Sequence, residues 1–188
     1  ICSGLVGSEM CIRDRYSKYL KRKKADAVIT DIPRLPIGIL TADCAPILIF
    51  DKQKKMVAAI HAGWKGAYKG IISKVINFMI KKGCEKKNII AVIGPCIAQK
   101  SYNVKEDFKR KFLKKDKRNK VFFKKRKNLI YFDLSKYVKL QLKLMKIANI
   151  ETINIDTFPK KNNFFSARRS LHLNHDDYGR NISLIMIN

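Results

Sequence analysis

The sequence predicts an α+β (α/β) fold in which mixed β-sheets are flanked by helices. Short, β-prone apolar runs recur along the chain, at 27–30, 35–41, 47–50, 56–61, 88–93, 150–155 and 182–187. Two longer stretches, 66–82 and 133–148, instead space their apolar residues by three and four, as a one-faced helix does. The two kinds of element interleave and no internal repeat is evident, so the expected architecture is layered and forms one unit.

Taken in order, the run at 35–41 leads into Ala42-Asp43-Cys44. Pro46 admits a second run that Asp51 closes, and Gly63 and Gly66 mark the turn after the third. On the helix at 66–82, Ala67, Ile71, Val75 and Phe78 or Met79 share one face, and Gly83 suits the residue just past its end. Gly94-Pro95 breaks the strand at 88–93, and a polar amphipathic helix is expected at 104–113. Asp133 is a good N-cap for the last long helix, whose stripe is Leu134, Val138, Leu142 and Met145. The Lys-rich stretch 109–127 reads as a loop or flexible excursion.

A length of 188 residues with 46% hydrophobic residues suits one folded domain. The longest apolar runs fall far short of a membrane span, and no secretory leader pattern is visible, so a cytoplasmic protein is expected. Five cysteines at irregular spacing do not resemble a disulfide framework. The net charge of +26 raises the possibility of a basic nucleic-acid-binding protein. Lysine outnumbers arginine 31 to 10, however, and scattered lysine suits a solvated surface better than base-reading contacts.

Two constellations carry chemistry: Thr41-Ala42-Asp43-Cys44-Ala45-Pro46 and His61-Ala62-Gly63-Trp64. Both lie where a buried strand breaks into a turn, a common place to present reactive groups. A thiolate and an imidazole are good zinc ligands, and the same two groups could serve as nucleophile and base of a cysteine hydrolase or deamidase. Asp43 beside Cys44 suits ligand orientation, proton transfer or a plain turn cap. Arg168, Arg169 and Arg180 offer guanidinium forks for a phosphate co-substrate or for structural ion pairs. Cys96, at another strand end, lines a pocket or packs as a core thiol.

The blocks TADCAPILIFD, VAAIHAGWKGAYKGI, AVIGPCIAQKSYNV and FFSARRS…DYGRNISLIMI, in that order, resemble the signature blocks of the YfiH-like purine nucleoside phosphorylases. These proteins were formerly described as polyphenol oxidases or laccase-domain proteins. The separation of seventeen residues between Cys44 and His61 is part of the resemblance.

The resemblance implies a layered sandwich and phosphorolysis of adenosine, inosine, guanosine and methylthioadenosine, with adenosine deamination as a side activity. It implies catalytic roles for Cys44, His61 and Asp43, and a zinc held by Cys44, His61 and an upstream histidine that this chain lacks. Purine nucleosides and phosphate are the partners expected, with no specific nucleic acid, no membrane, and a homodimer as a candidate assembly. Lys65, Ala167 and Asp156-Thr157 depart from the family's common residues and leave substrate preference open. Copper oxidation of phenols fits poorly, because such sites demand many histidines and this chain has three. Residues 4–15, GLVGSEMCIRDR, resemble the translation of a sequencing-library adaptor. Residues 1–15 are therefore expected to be foreign and to add no strand, with 16–188 a single catalytic domain lacking its native N-terminal strands.

Overall fold

The computed structural model describes residues 12–13, 25–175 and 178–188. In chain order its strands begin with β1 (Ile12–Arg13), β2 (Ala27–Thr30), β3 (Ile37–Thr41), β4 (Ala45–Asp51) and β5 (Met56–Ala62). Helices α1 (Trp64–Lys69) and α2 (Ile71–Lys81) follow, then β6 (Ile89–Ile93), β7 (Asn103–Val104) and α3 (Glu106–Lys115). The chain continues through β8 (Phe123–Arg126), β9 (Leu129–Phe132), α4 (Leu134–Leu144), β10 (Asn149–Thr152), α5 (Ala167–His172) and β11 (Asn181–Ile185).

Six strands form the central sheet in the order β1-β2-β5-β4-β6-β10. It is antiparallel in the middle and parallel at its two outer pairs. Strands β3 and β11 make a two-stranded antiparallel sheet, and β7-β9-β8 a three-stranded one. This is the mixed α+β architecture that the sequence predicts.

The near-continuous apolar runs arise because the central strands are covered on both faces. Along β4, Ala45, Ile47 and Ile49 enter the larger core, which also holds the buried residues of α2 and α4. Leu48 and Phe50 alternate to the opposite face and pack with Ile37, Ile39 and Ile187. Strand β5 divides the same way, with Met56, Ala58, Ile60 and Ala62 on one side and Val57 and Ala59 on the other.

The helical stripe at 66–82 is present, but as two helices. Gly70 takes a left-handed φ of 84°, ending α1 and starting α2, which then buries Ile71, Val75 and Met79 as expected. Gly83, at φ 92°, is the expected left-handed residue past the end. Asp133 caps α4 by accepting the Lys136 N–H at 2.9 Å. That helix ends at Leu144, short of residue 148, because the chain turns through a left-handed Lys146.

The expectation of a loop at 109–127 is corrected. Phe112 and Phe122 are buried anchors, so the lysines interleaved with them are the solvent face of α3, a 3-10 turn and strand β8. The expectation that residues 1–15 add no strand is corrected at Ile12 and Arg13, which pair in parallel with Ala27 and Val28. The rest of that segment lies outside the described residues. No helix among the described residues is long and apolar enough to cross a membrane.

Candidate active site

Strands β4 and β5 bring Cys44 and His61 together. Ala45 pairs with Ala62, so Cys44, just before β4, lies across from Gly63, just after β5. A Cβ at position 63 would stand 2.9 Å from the Cys44 sulfur and 3.7 Å from His61 Nε2. Glycine is needed here for close approach and not for its backbone freedom, since φ is −68°. The Cys44 side chain interacts electrostatically with the His61 ring and favours its protonated form.

The other ring nitrogen, Nδ1, donates to Asp26 Oδ1 at 3.1 Å, and the His61 backbone N–H donates to the Asp26 carbonyl at 2.8 Å. Asp26 thus fixes the ring's orientation and leaves Nε2 on the Cys44 side. Burial lowers the ring's proton affinity, but its hydrogen bond to Asp26 and its interaction with Cys44 outweigh this and push the pKa from 6.5 up to about 10. Asp26 escaped the sequence reading because it is 35 residues from His61 and sits in no motif. Its one signal is a carboxylate directly before a buried strand.

Asp43 is not the carboxylate behind His61. It holds a left-handed φ of 79° and is buried, with three donors on its side chain. The Thr157 hydroxyl donates at 2.7 Å to Oδ1. The Ser166 hydroxyl at 2.9 Å and the Arg168 backbone N–H at 2.7 Å donate to Oδ2. Asp43 therefore ties the Cys44 loop to the first turn of α5.

The three arginines separate. Arg169 donates to the carbonyls of Thr157, Phe158 and Phe164, a set that staples the loop before α5. Arg180 is exposed, over the Tyr178 ring at 5.5 Å. Arg168 lies 5.3 Å over the Tyr102 ring, and its Nη1 donates to the Asn103 carbonyl and side-chain oxygens. Among the described residues nothing pairs with its Nε or Nη2. Cys96 is a core thiol, bridged to Asp156 through its backbone, and burial followed by the Asp133 carboxylate pushes it up to about 12. His172 and His175 are both exposed, and the His172 ring lies edge-on to Phe158.

Arg168 faces a cleft of about 750 Å³ whose walls include Trp64, Tyr102, Phe108, Glu106, Asp107 and Asn128. Cys44 and His61 do not line it directly. They adjoin it through Trp64, three residues beyond His61, and through Tyr102, which lies within electrostatic reach of Cys44, Arg168 and Asp43. Cys44 and His61 match zinc in donor type. Among the described residues, however, no three His, Cys, Asp or Glu side chains group as a metal site, so the pair is one donor short of a catalytic zinc.

Over residues 7–188 the chain matches the family described as multi-copper polyphenol oxidoreductase laccase, a range that begins inside the segment read as foreign. It is 41% identical over 161 residues to a purine nucleoside phosphorylase of Rickettsia conorii, covering 85% of this chain and 66% of that protein. It is 39% identical over 152 residues to one of Rickettsia prowazekii, covering 80% of this chain and 62% of that protein. The chain spans less than two thirds of the length of these curated relatives. Its fold is similar to that of YfiH from Bacillus licheniformis, at 28% identity and a TM-score of 0.81, over 96% of this chain and 71% of that one. With the Cys44 and His61 blocks inside the matched range, the chain belongs to this laccase-domain family, the YfiH-like proteins whose curated relatives are named purine nucleoside phosphorylases.

Proposed function

We propose that this protein is a cytoplasmic, zinc-dependent purine nucleoside phosphorylase that takes adenosine, inosine, guanosine and methylthioadenosine, with adenosine deamination as a side activity, and that the chain as it stands, one zinc donor short among the described residues, turns over little. One observation carries the reading: a neighbouring Cys44–His61 pair, with the histidine held by Asp26, adjoins an aromatic-walled cleft holding a guanidinium with donors unpaired among the described residues. In the reaction a phosphate oxygen bonds to the sugar's anomeric carbon as the bond from that carbon to the purine nitrogen breaks. The base leaves with the electron pair and gains a proton. Arg168 supplies donors to the phosphate, and Trp64, Tyr102 and Phe108 offer faces against which a purine stacks. Asp26 holds His61 with Nδ1 protonated, so Nε2, with the Cys44 thiolate, would hold a zinc. A zinc bound there would act as a Lewis acid or supply hydroxide near neutral pH.

The Asp26–His61–Cys44 relay favours one second reading, a cysteine hydrolase with Cys44 as nucleophile and His61 as base. Phosphorus NMR of inosine with inorganic phosphate separates the two. Phosphorolysis gives a sugar 1-phosphate signal that a chelator abolishes. A chelator-resistant activity that releases base without forming that signal, and that iodoacetamide blocks, would instead establish the hydrolase.

A further inference from the structure

Cys44 and Arg168 belong to segments far apart in the chain, yet a phosphorolytic site needs them at a fixed distance. The residue that sets that distance is next to Cys44. Asp43 is buried, and among the described residues no cation shares its carboxylate. Its side-chain hydrogen bonds are to Thr157, Ser166 and the backbone N–H of Arg168 itself. Thr157 and Ser166 are each only 1% exposed, so water does not replace them. Ser166 also caps α5 by accepting the Arg169 N–H at 3.1 Å. The Arg169 guanidinium closes the same loop through three carbonyls. Beyond the Arg168 backbone, the side chain lies over Tyr102 and, among the described residues, is gripped on one nitrogen only, by Asn103. The brace thus ends on the residue whose remaining donors face the cleft.

We infer that Asp43 is a positioning residue: by holding the first turn of α5 against the Cys44 loop, it fixes where the Arg168 guanidinium meets an oxyanion in the cleft. The inference rests on the anion role proposed for Arg168. The left-handed backbone of Asp43 fits this task, because the turn sends Cys44 and the Asp43 carboxylate toward different partners.

The test is a double-mutant cycle on binding of inorganic phosphate to the full chain, read by titration calorimetry so that no turnover is needed. Asp43→Asn keeps the shape but no longer accepts from all three donors. It should weaken phosphate binding on the order of tenfold, and Arg168→Ala by at least as much. The double variant should bind no more weakly than Arg168→Ala alone, because Asp43 acts only through Arg168. A general loss of structure would instead give losses that add, and additive losses overturn the inference while leaving Arg168 as an anion residue. Absence of phosphate binding in the unaltered chain removes the anion role, and the inference with it. If Asp43→Asn does not fold, Thr157→Val loosens the same brace and enters the same cycle. An undiminished affinity in Thr157→Val then counts against the inference.

Discussion

At the scale of single residues, the close approach at Gly63 explains why His61-Ala62-Gly63-Trp64 reads as a motif: a side chain there would strike the thiol that the histidine meets. Cys44 and His61 stood out because each lies in a sequence block that resembles the family's, at the end of a buried strand. Asp26 and the true partners of Asp43 did not, since tertiary structure alone brings them together across 35 and more than 100 residues. The three described cysteines are expected to differ in reactivity. Burial and the Asp51 carboxylate push Cys84 up to about 12, and Cys96 is raised as far, while Cys44 is half-exposed. At pH 8 iodoacetamide should modify Cys44 and spare Cys84 and Cys96, as read by peptide mass spectrometry, because the thiolate is the reacting form. Modification of Cys96 at a rate matching Cys44 would make it a site residue after all.

His61 adds a pH dependence whose sign is fixed. Its folded pKa, about 10, lies above the ordinary 6.5, so the metal-free fold holds this proton more tightly than the unfolded chain. The resulting stability is complete below about pH 6.5 and is lost as pH rises through 10. Cys84 and Cys96 act in the same direction from about pH 8.5 upward, since their folded values are also raised. The melting temperature of the metal-free protein should therefore fall from pH 7 to pH 10. Asp26→Asn should flatten the fall between pH 7 and 8.5, and an unchanged slope there would deny Asp26 its hold on the ring.

At the scale of elements, periodicity revealed the strands and the buried stripe of α2, while local backbone choices were less visible. The stripe at 66–82 continues in register through Gly70, so spacing alone could not show the left-handed break. The Lys-rich segment was misread for a related reason. Phe112, Phe122 and Phe123 looked sparse among lysines, yet Phe112 stacks on Phe108 at 4.8 Å and Phe123 lies 5.0 Å from Phe132, a partner from another strand. Asp133→Ala should destabilise the fold by about 1 kcal/mol through loss of the α4 cap. Gly70→Ala should cost about 1–2 kcal/mol, because a Cβ must adopt a left-handed backbone there and stand 3.1 Å from Ser73 Oγ. Urea titration measures both, and a neutral Gly70→Ala would mean that the α1–α2 junction relaxes freely.

At the scale of the whole molecule, a doubly covered central sheet lets one pair of adjacent strand ends, β4 and β5, present Cys44 and His61 from a rigid base. The loop before α5 then brings Arg168 to the same end through Asp43. The fold class was readable because both faces of β4 and β5 are apolar, whereas the cleft was not, because its walls come from α1, α3, β7, β9 and α5. The central claim is that this end of the sheet performs phosphorolysis. Its most direct test is the rate at which free hypoxanthine is released from inosine, with and without phosphate, by the zinc-supplied protein extended with the upstream histidine that the family resemblance implies, and by the Cys44→Ala variant of that extended protein. The account expects phosphate-dependent release that falls about 100-fold or more in the variant. Equal rates in the two proteins, or release indifferent to phosphate, would contradict it.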